Sequence, residues 1–331
     1  MLTWIAGFIV LVVKLVAILF FLLMAAAYLV WVERKFLARL QLRYGPNRAG
    51  KFGLLQPLAD VVKMLTKEDV VPDGADRVIF RLAPAVVAGT AFLMFAVVPL
   101  GRDLTLFGRS VPLVVTDLNV GLLFAFAMSS LGVYGIALGG WASNSKYALL
   151  GSIRGAAQMI SYELSLGLSI VPIVMLAGSF SMVDIVNAQK GLPFIFVQPL
   201  AFVIFVISAM AETKRIPFDL PEAENELNAG YHTEYSGMRF GLFFLGEYVT
   251  MMVFGGLVAV LFLGGWRGPW LPPFVWLVIK ILLVAVFMIW VRGTLPRVRW
   301  DQLMTIGWKA LLPLALLNVI VTGALGLIMS P

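Results

Sequence analysis

Eight apolar runs constrain this chain more than any other feature. They cover residues 2–32, 80–100, 118–140, 158–178, 195–212, 242–265, 274–292 and 308–328. A helix needs about 20 apolar residues to cross a hydrocarbon core. Backbone inside lipid must satisfy its own hydrogen bonds, which leaves helices for runs of this length. The sequence therefore predicts an all-α polytopic membrane protein, a single integral membrane domain over 1–331 with eight transmembrane helices. Charged residues make up 13% of the chain, against roughly 25% in a soluble domain. The first run is the longest and is expected to tilt or to extend past the bilayer. It lacks a basic leader region and a small-residue cleavage site, so it reads as a retained span rather than a signal peptide.

Eight crossings put both termini on one side. The segments 33–79, 141–157, 213–241 and 293–307 share the other, and with Arg292 and Lys309 at span edges they hold 18 of the 25 Lys and Arg. The opposite loops hold Arg102, Arg109, Lys190 and Arg267. The positive-inside rule places the basic loops in the cytoplasm, matrix or stroma. The expected location is a bacterial cell inner membrane with periplasmic termini. The net charge of +7 is thus a topology signal, and no nucleic-acid partner is expected. The chain has no cysteine and one histidine. It has no thiolate metal site or disulfide framework and no phosphate-cradling glycine loop. It is expected to bind no cofactor or metal of its own. No internal repeat is visible, which weighs against the transporter plan of repeats around a midplane site.

The segment 33–69 reads ERKFLARLQLRYGPNRAGKFGLLQPLADVVKMLTKED. Gly45-Pro46-Asn47 is turn chemistry, and Pro57 suits a first helical turn. Leu54, Leu58, Val61, Val62 and Leu65 recur at helical spacing, with Asp60, Lys63 and Lys67 on another face. This predicts a cytoplasmic-side amphipathic helix over 54–67, near the interface. Two uses fit it. One is a surface anchor whose basic residues meet lipid phosphates. The other is the wall of an entrance for an amphiphilic ligand, with Arg34 and Arg43 offering donors and Asp60 orienting them. Glu33, an acid closing a span, points to a partner inside the protein.

Residues 211–248 hold Glu212, Asp219, Glu222, Glu224, Glu226, Glu234 and Glu247, seven of the chain's 18 acids, together with His232. Glu163 lies nine residues past Arg154, roughly 13 Å along a helix. Glu247 lies eight past Arg239, roughly 12 Å by the same rule. Glu212 ends the fifth run. Three consecutive spans thus each place a glutamate in the cytoplasmic half of the bilayer, where a carboxylate must be paired, hydrated or protonated. Any one of them fits a structural hydrogen bond between helices. Three at similar depth point to a polar, hydrated path. Glu222, Glu224 and Glu226 alternate in a loop over 213–241 whose Pro217, Phe218, Leu220 and Tyr231 make a poor solvent-exposed tract. His232 fits a structural hydrogen bond or a protonic role. Arg292, Arg297 and Arg299 gather around Pro296 with Asp301 nearby, either as a topology clamp or as arginines closing a charged site against the acids.

ERKFLARLQLRYGPNRAGKFGLLQPLADVVKMLTKE, GGWASNSKYALLGSIRGAAQMISYE, AETKRIPFDLPEAENELNAGYHTEYSGMRFGLFFLGEY and RGTLPRVRWDQLMTIGWK resemble one family over nearly the whole chain. It is the H subunit, or subunit 1, of respiratory complex I, the proton-translocating NADH:quinone oxidoreductase. The membrane subunit of energy-converting hydrogenases, an anchor or ion-translocating subunit, is the nearest alternative. The resemblance implies a subunit joining the membrane arm to the hydrophilic redox arm and enclosing most of a tunnel for its quinone substrate. Two hydrophilic partner subunits would close that tunnel, small membrane subunits would adjoin it, and FMN and iron–sulfur clusters would sit in partners. It implies that Glu33, Arg34, Arg43, Asp60, Arg215, Arg292 and Arg299 line or brace the tunnel. It implies that Glu163, Glu212, Asp219, Glu222, Glu224, Glu226, Glu234 and Glu247 form a coupling path for protons. No catalytic residue is expected in the chain itself. Lys214, Gly293 and Trp300 depart from the family, which commonly has an uncharged residue, alanine and tyrosine there.

Overall fold

The computed structural model describes residues 2–101, 104–106, 109–111 and 114–329, with side chains from Val12 onward except over 102–113 and at Glu224 and Met329. The helices follow in chain order as α1 (Leu2–Leu40), α2 (Gln56–Thr66), α3 (Arg77–Phe95), α4 (Gly121–Ala142), α5 (Lys146–Ala177), α6 (Met182–Ala188) and α7 (Phe194–Val197). After them come α8 (Pro199–Glu212), α9 (Glu224–Leu227), α10 (Gly237–Phe262), α11 (Pro273–Thr294), α12 (Trp300–Thr305) and α13 (Leu312–Met329). A π-helical turn over Ile306–Leu311 joins the last two into one rod. The helical expectation holds, with one addition among the described residues. Between α3 and α4, β1 (Leu104–Leu106) and β2 (Arg109–Val111) form an antiparallel hairpin with Thr105 opposite Ser110.

Among the described residues, seven helices are long and apolar enough to cross a membrane, which supports a polytopic membrane protein. The fifth apolar run is divided. Gln198 takes φ −130 and ψ 59, and Pro199 then starts α8, because proline's fixed φ and missing N–H suit a first turn. The 14 residues of α8 give roughly 21 Å. The break is held from α13: Gln198 Nε2 donates to Thr322 Oγ1 (2.9 Å), and Asn318 Nδ2 donates to Gln198 Oε1 (3.0 Å). Other limits shift in both directions: α3 ends at Phe95 rather than 100 and α4 starts at Gly121 rather than 118. α1 runs through ERKFLARL to Leu40, and α5 starts at Lys146 rather than 158. Charged residues do not end a helix when its emerging end turns a polar face to water.

Buried α10 is the post around which the others stand. From Gly246 to Phe262 every residue but Thr250 is buried, against α1, α3, α8 and α11. Its C-terminal carbonyls would be orphans in an apolar setting. Lys280 of α11 answers the one at the C-cap and two in the turn beyond, its Nζ donating to the carbonyls of Leu263, Gly265 and Arg267 at 2.7 Å each. Gly264 and Gly265 take positive φ there, where a side chain is disfavoured. The outward faces of α1 and α13 expose Val13, Val16, Phe20, Leu317 and Ile320, as lipid-facing surfaces do.

Candidate functional site

Glu33 is the centre of the site. It projects from α1 into the protein and is 3% exposed. Arg215 Nη1 donates to its Oε2 at 2.5 Å, Tyr248 OH donates to the same oxygen at 2.8 Å, and Arg292 Nη1 donates to Oε1. Arg215 also faces Glu247, with Nε 2.8 Å from Oε1. That contact is an ion pair whose angle falls outside hydrogen-bond geometry, so Nε and Nη2 keep unused donors. The guanidinium lies 4.3 Å from the centre of the Tyr248 ring, within cation–π range. Four elements thus converge: α1, the turn after α8, α10 and α11.

The turn that delivers Arg215 is fixed locally. Gln158 of α5 donates to the carbonyls of Ala211 (2.7 Å) and Phe218 (2.8 Å), bracketing it. Between them Lys214 takes φ 54, uncommon for a residue with a side chain. Its buried ammonium lies 5.2 Å from the Tyr231 ring centre. Lys214, Glu212 and Glu247 line one cavity of about 30 Å³ together with Thr90, Ser129 and Thr250. That volume admits roughly one or two waters.

Two adjacent serines of α4 divide between two glutamates. Ser129 Oγ donates to Glu212 Oε1 at 2.9 Å, and Ser130 Oγ donates to Glu163 Oε1. Glu212 is 2% exposed, and its Oε2 has no hydrogen-bond partner. Glu163 borders a separate apolar groove between α4 and α5.

The acidic loop folds back over this site. Arg297 Nη2 donates to the Asp219 carbonyl at 2.6 Å, and Val298 N donates to the Pro217 carbonyl at 3.1 Å. Gly151 and Gly155 of α5 let Pro221 press against the helix, and Gly230, at φ +60, passes against the Pro221 carbonyl. Burial and the like charge of Glu222 raise the Asp219 carboxyl to about 7, against Arg297 and Arg292. Burial pushes Glu222 up as well, opposed by Lys214, Arg215 and Arg292. Burial holds Lys214 below the usual lysine range, although Glu247, Glu222 and Glu212 favour its charge. Burial disfavours the charge of Arg215, yet Glu247, Tyr248 and Glu33 outweigh it and hold the group well above its ordinary value.

An acid whose folded pKa is raised stabilises the fold below its unfolded pKa, and the contribution is lost as pH rises through the folded value. For Asp219 that loss runs from about pH 4 to about pH 7. Hydrogen exchange over 219–230, corrected for intrinsic rates, should therefore rise between about pH 4 and pH 7 and level off above it. In Asp219→Asn the rise should be smaller, the remainder coming from Glu222, which burial also raises.

The remaining residues singled out in the sequence lie around this centre. Arg34 pairs with Asp60 of α2 at 2.7 Å, and Gln56 Nε2 donates to Asp60 Oδ1 at 3.0 Å. Arg43 is exposed and donates to Gln41 Oε1 at 2.8 Å. Arg299 pairs with Asp301 at the surface at 3.2 Å. Neither Arg43 nor Arg299 is drawn into the Glu33 cluster. Arg154 pairs with Glu226 at 2.6 Å on the exposed side of the loop. Tyr231 OH donates to Glu222 Oε1 at 3.4 Å, and His232 Nδ1 lies 3.9 Å from the same oxygen. Glu234 is half-buried, and the Glu224 side chain lies outside the described residues. Sequence reasoning missed Tyr248, Gln158, Ser129 and Ser130. The serine pair did carry a signal, two adjacent hydroxyls inside an apolar run.

Residues 13–323 match the family described as NADH dehydrogenase. An H subunit of the NADH-quinone oxidoreductase of Syntrophobacter fumaroxidans is 76% identical, covering 98% of both chains. An H subunit of the same kind of enzyme in Geobacter metallireducens is 68% identical over 94% of each chain, and that of Thermomicrobium roseum is 54% identical over 90% of each. The chain that buries this charged cluster among membrane-length helices belongs to the family of NADH-quinone oxidoreductase H subunits, whose members are parts of an oxidoreductase complex.

Proposed function

We propose that this chain forms most of a quinone tunnel and passes the consequence of quinone reduction to a proton path of buried glutamates. The observation that carries the reading is an almost continuous polar line inside an apolar protein. It runs from Glu33 through Arg215 to Glu247, across the cavity to Lys214 and Glu212, and through Ser129 and Ser130 to Glu163. Ion pairs this buried are expensive to assemble and add little net stability. Ionisable groups at membrane depth mark pathways by default.

In this reading α8 is the eighth crossing, short because Gln198 breaks its run, and the termini face the periplasm of a bacterial inner membrane. The exposed apolar side chains Leu58, Val61, Val62 and Leu65 of α2 lie at the bilayer surface and flank the tunnel mouth, where Arg34 and Asp60 meet. The nearly fully exposed Leu42 and Tyr44, with Arg43 and Arg299, face hydrophilic partner subunits that close the tunnel. Redox cofactors belong to those partners, in keeping with a chain that has no cysteine. Small membrane subunits continue the proton path beyond Glu163.

The energetics are within reach of side chains alone. Moving one charge against about 150 mV takes roughly 3.5 kcal/mol, which corresponds to about 2.5 pKa units. Burial or a new neighbouring charge can shift a carboxylate that far. The 213–241 loop links the two halves, since it carries Arg215 on one side and Glu222 on the other. Glu163→Gln and Glu247→Gln should each lower coupled NADH:quinone turnover in membranes about tenfold or more. NADH oxidation by a water-soluble acceptor should persist, reporting assembly. Wild-type turnover and pumping in both variants would rule the path out.

A further inference from the structure

We propose that Lys214 is itself a proton-transfer residue, joining Glu247 to Glu212 across the cavity that all three line. This rests on the coupling path proposed above and adds a member to it. Three observations converge on the lysine. Its side chain is buried although the residue lies in a loop, the usual setting for a solvated ammonium. Its backbone is held at φ 54, and strain of this kind collects at functional sites. Across the cavity lies Glu212, whose Oε2 is buried without a hydrogen-bond partner, an acceptor in want of a proton. The cavity has room for roughly one or two waters, and the Lys214 side chain lines it together with both acids.

The groups facing Lys214 come from three elements: Glu212 from α8, Glu247 from α10, and Glu222, Arg215 and Tyr231 from the loop. The acids favour its ammonium, whereas burial favours its amine. A lysine balanced in this way exchanges protons readily. The step is a pair of proton shifts. The ammonium gives one N–H proton to the Glu212 carboxylate, leaving an amine and a carboxylic acid. The amine then takes the proton of the Glu247 carboxylic acid, restoring the ammonium and leaving a carboxylate. One proton has moved from Glu247 to Glu212, and the lysine is unchanged.

The rival role is a fixed counter-charge that merely allows the two acids to ionise. Arginine separates the two roles, because it keeps the charge but does not release a proton at physiological pH. The test uses the whole complex in inverted membrane vesicles. Proton uptake and quinone reduction are measured, with NADH oxidation by a water-soluble acceptor as the assembly control. A relay predicts that Lys214→Met and Lys214→Arg both lose coupled turnover by about tenfold or more, with the control unchanged. Recovery in Lys214→Arg, or wild-type pumping in Lys214→Met, would overturn the relay. If neither variant assembles, Lys214→Gln takes their place. Failure of all three to assemble would make the residue structural and also overturn it. Glu247→Gln is run alongside. Loss there with normal Lys214→Met rejects only the lysine, whereas normal turnover in Glu247→Gln rejects the path itself.

Discussion

Glu33→Gln should be among the most damaging single substitutions in the chain. The buried cluster balances Glu33 and Glu247 against Arg215 and Arg292. Glutamine keeps the shape and removes one negative charge. Arg292, with 36% of its side chain accessible, recovers water and loses little. Arg215, with 2% accessible, cannot, and is left with Glu247 alone. Breaking a buried pair by removing one partner costs about 3–5 kcal/mol. Quinone reduction should fall by two orders of magnitude or so, and the amount of assembled complex should fall with it. The same change at Asp60, whose partner Arg34 is 43% accessible, should cost no more than about 1 kcal/mol. Measuring assembled complex and quinone turnover for both variants checks the contrast. Equal effects would mean that burial does not set the difference.

Gly230→Ala should be nearly as severe for an unrelated reason. A Cβ at Gly230 would lie 1.7 Å from the Pro221 carbonyl oxygen, and the backbone there is already at φ +60. The obstacle is backbone pinned against Gly151, so it cannot swing aside as a side chain would. The left-handed conformation alone costs a residue with a side chain about 1–2 kcal/mol. With the clash added, the total should exceed about 3 kcal/mol, and the loop from Asp219 to Tyr235 should leave its seat. Protease cleavage within the loop and loss of quinone turnover are the readouts. Gly167→Ala is the control, since nothing lies within 4 Å of the added atom, and its turnover should stay at the wild-type level.

Much of the architecture was legible because lipid imposes one rule on every span. The apolar runs are helical over most of their length, and the turn and proline signals around 45–57 placed α2 within two residues of its expected start. The break at Gln198 was hidden because both flanks are apolar, and only the contacts with Asn318 and Thr322 make it stable. The ends of α1 and α5 were hidden because charged turns there remain helical. The site was legible in its acids and hidden in its pairings. Glu33 and Arg292 lie 259 residues apart, and no spacing rule connects them. Arg43 and Arg299 share their composition with the cluster arginines, yet they point to the surface, where Gln41 and Asp301 answer them. Gly151 and Gly230 had no reading at all, since a missing Cβ matters only where another backbone arrives.

The lysine beyond the end of α10 has a mechanical consequence. Past the C-terminus of this helix a single ammonium from α11 gathers the carbonyls of Leu263, Gly265 and Arg267, so the turn joining the two helices is tied to α11 by three hydrogen bonds. Near the middle of α10, Glu247 and Tyr248 hold partners that belong to a loop and to α1. At its start, Arg239 pairs with Asp69. One helix is thus fastened at three heights, by backbone at one and by charge at the other two. A change of charge around Arg215 loosens the middle fastening alone and leaves both ends held.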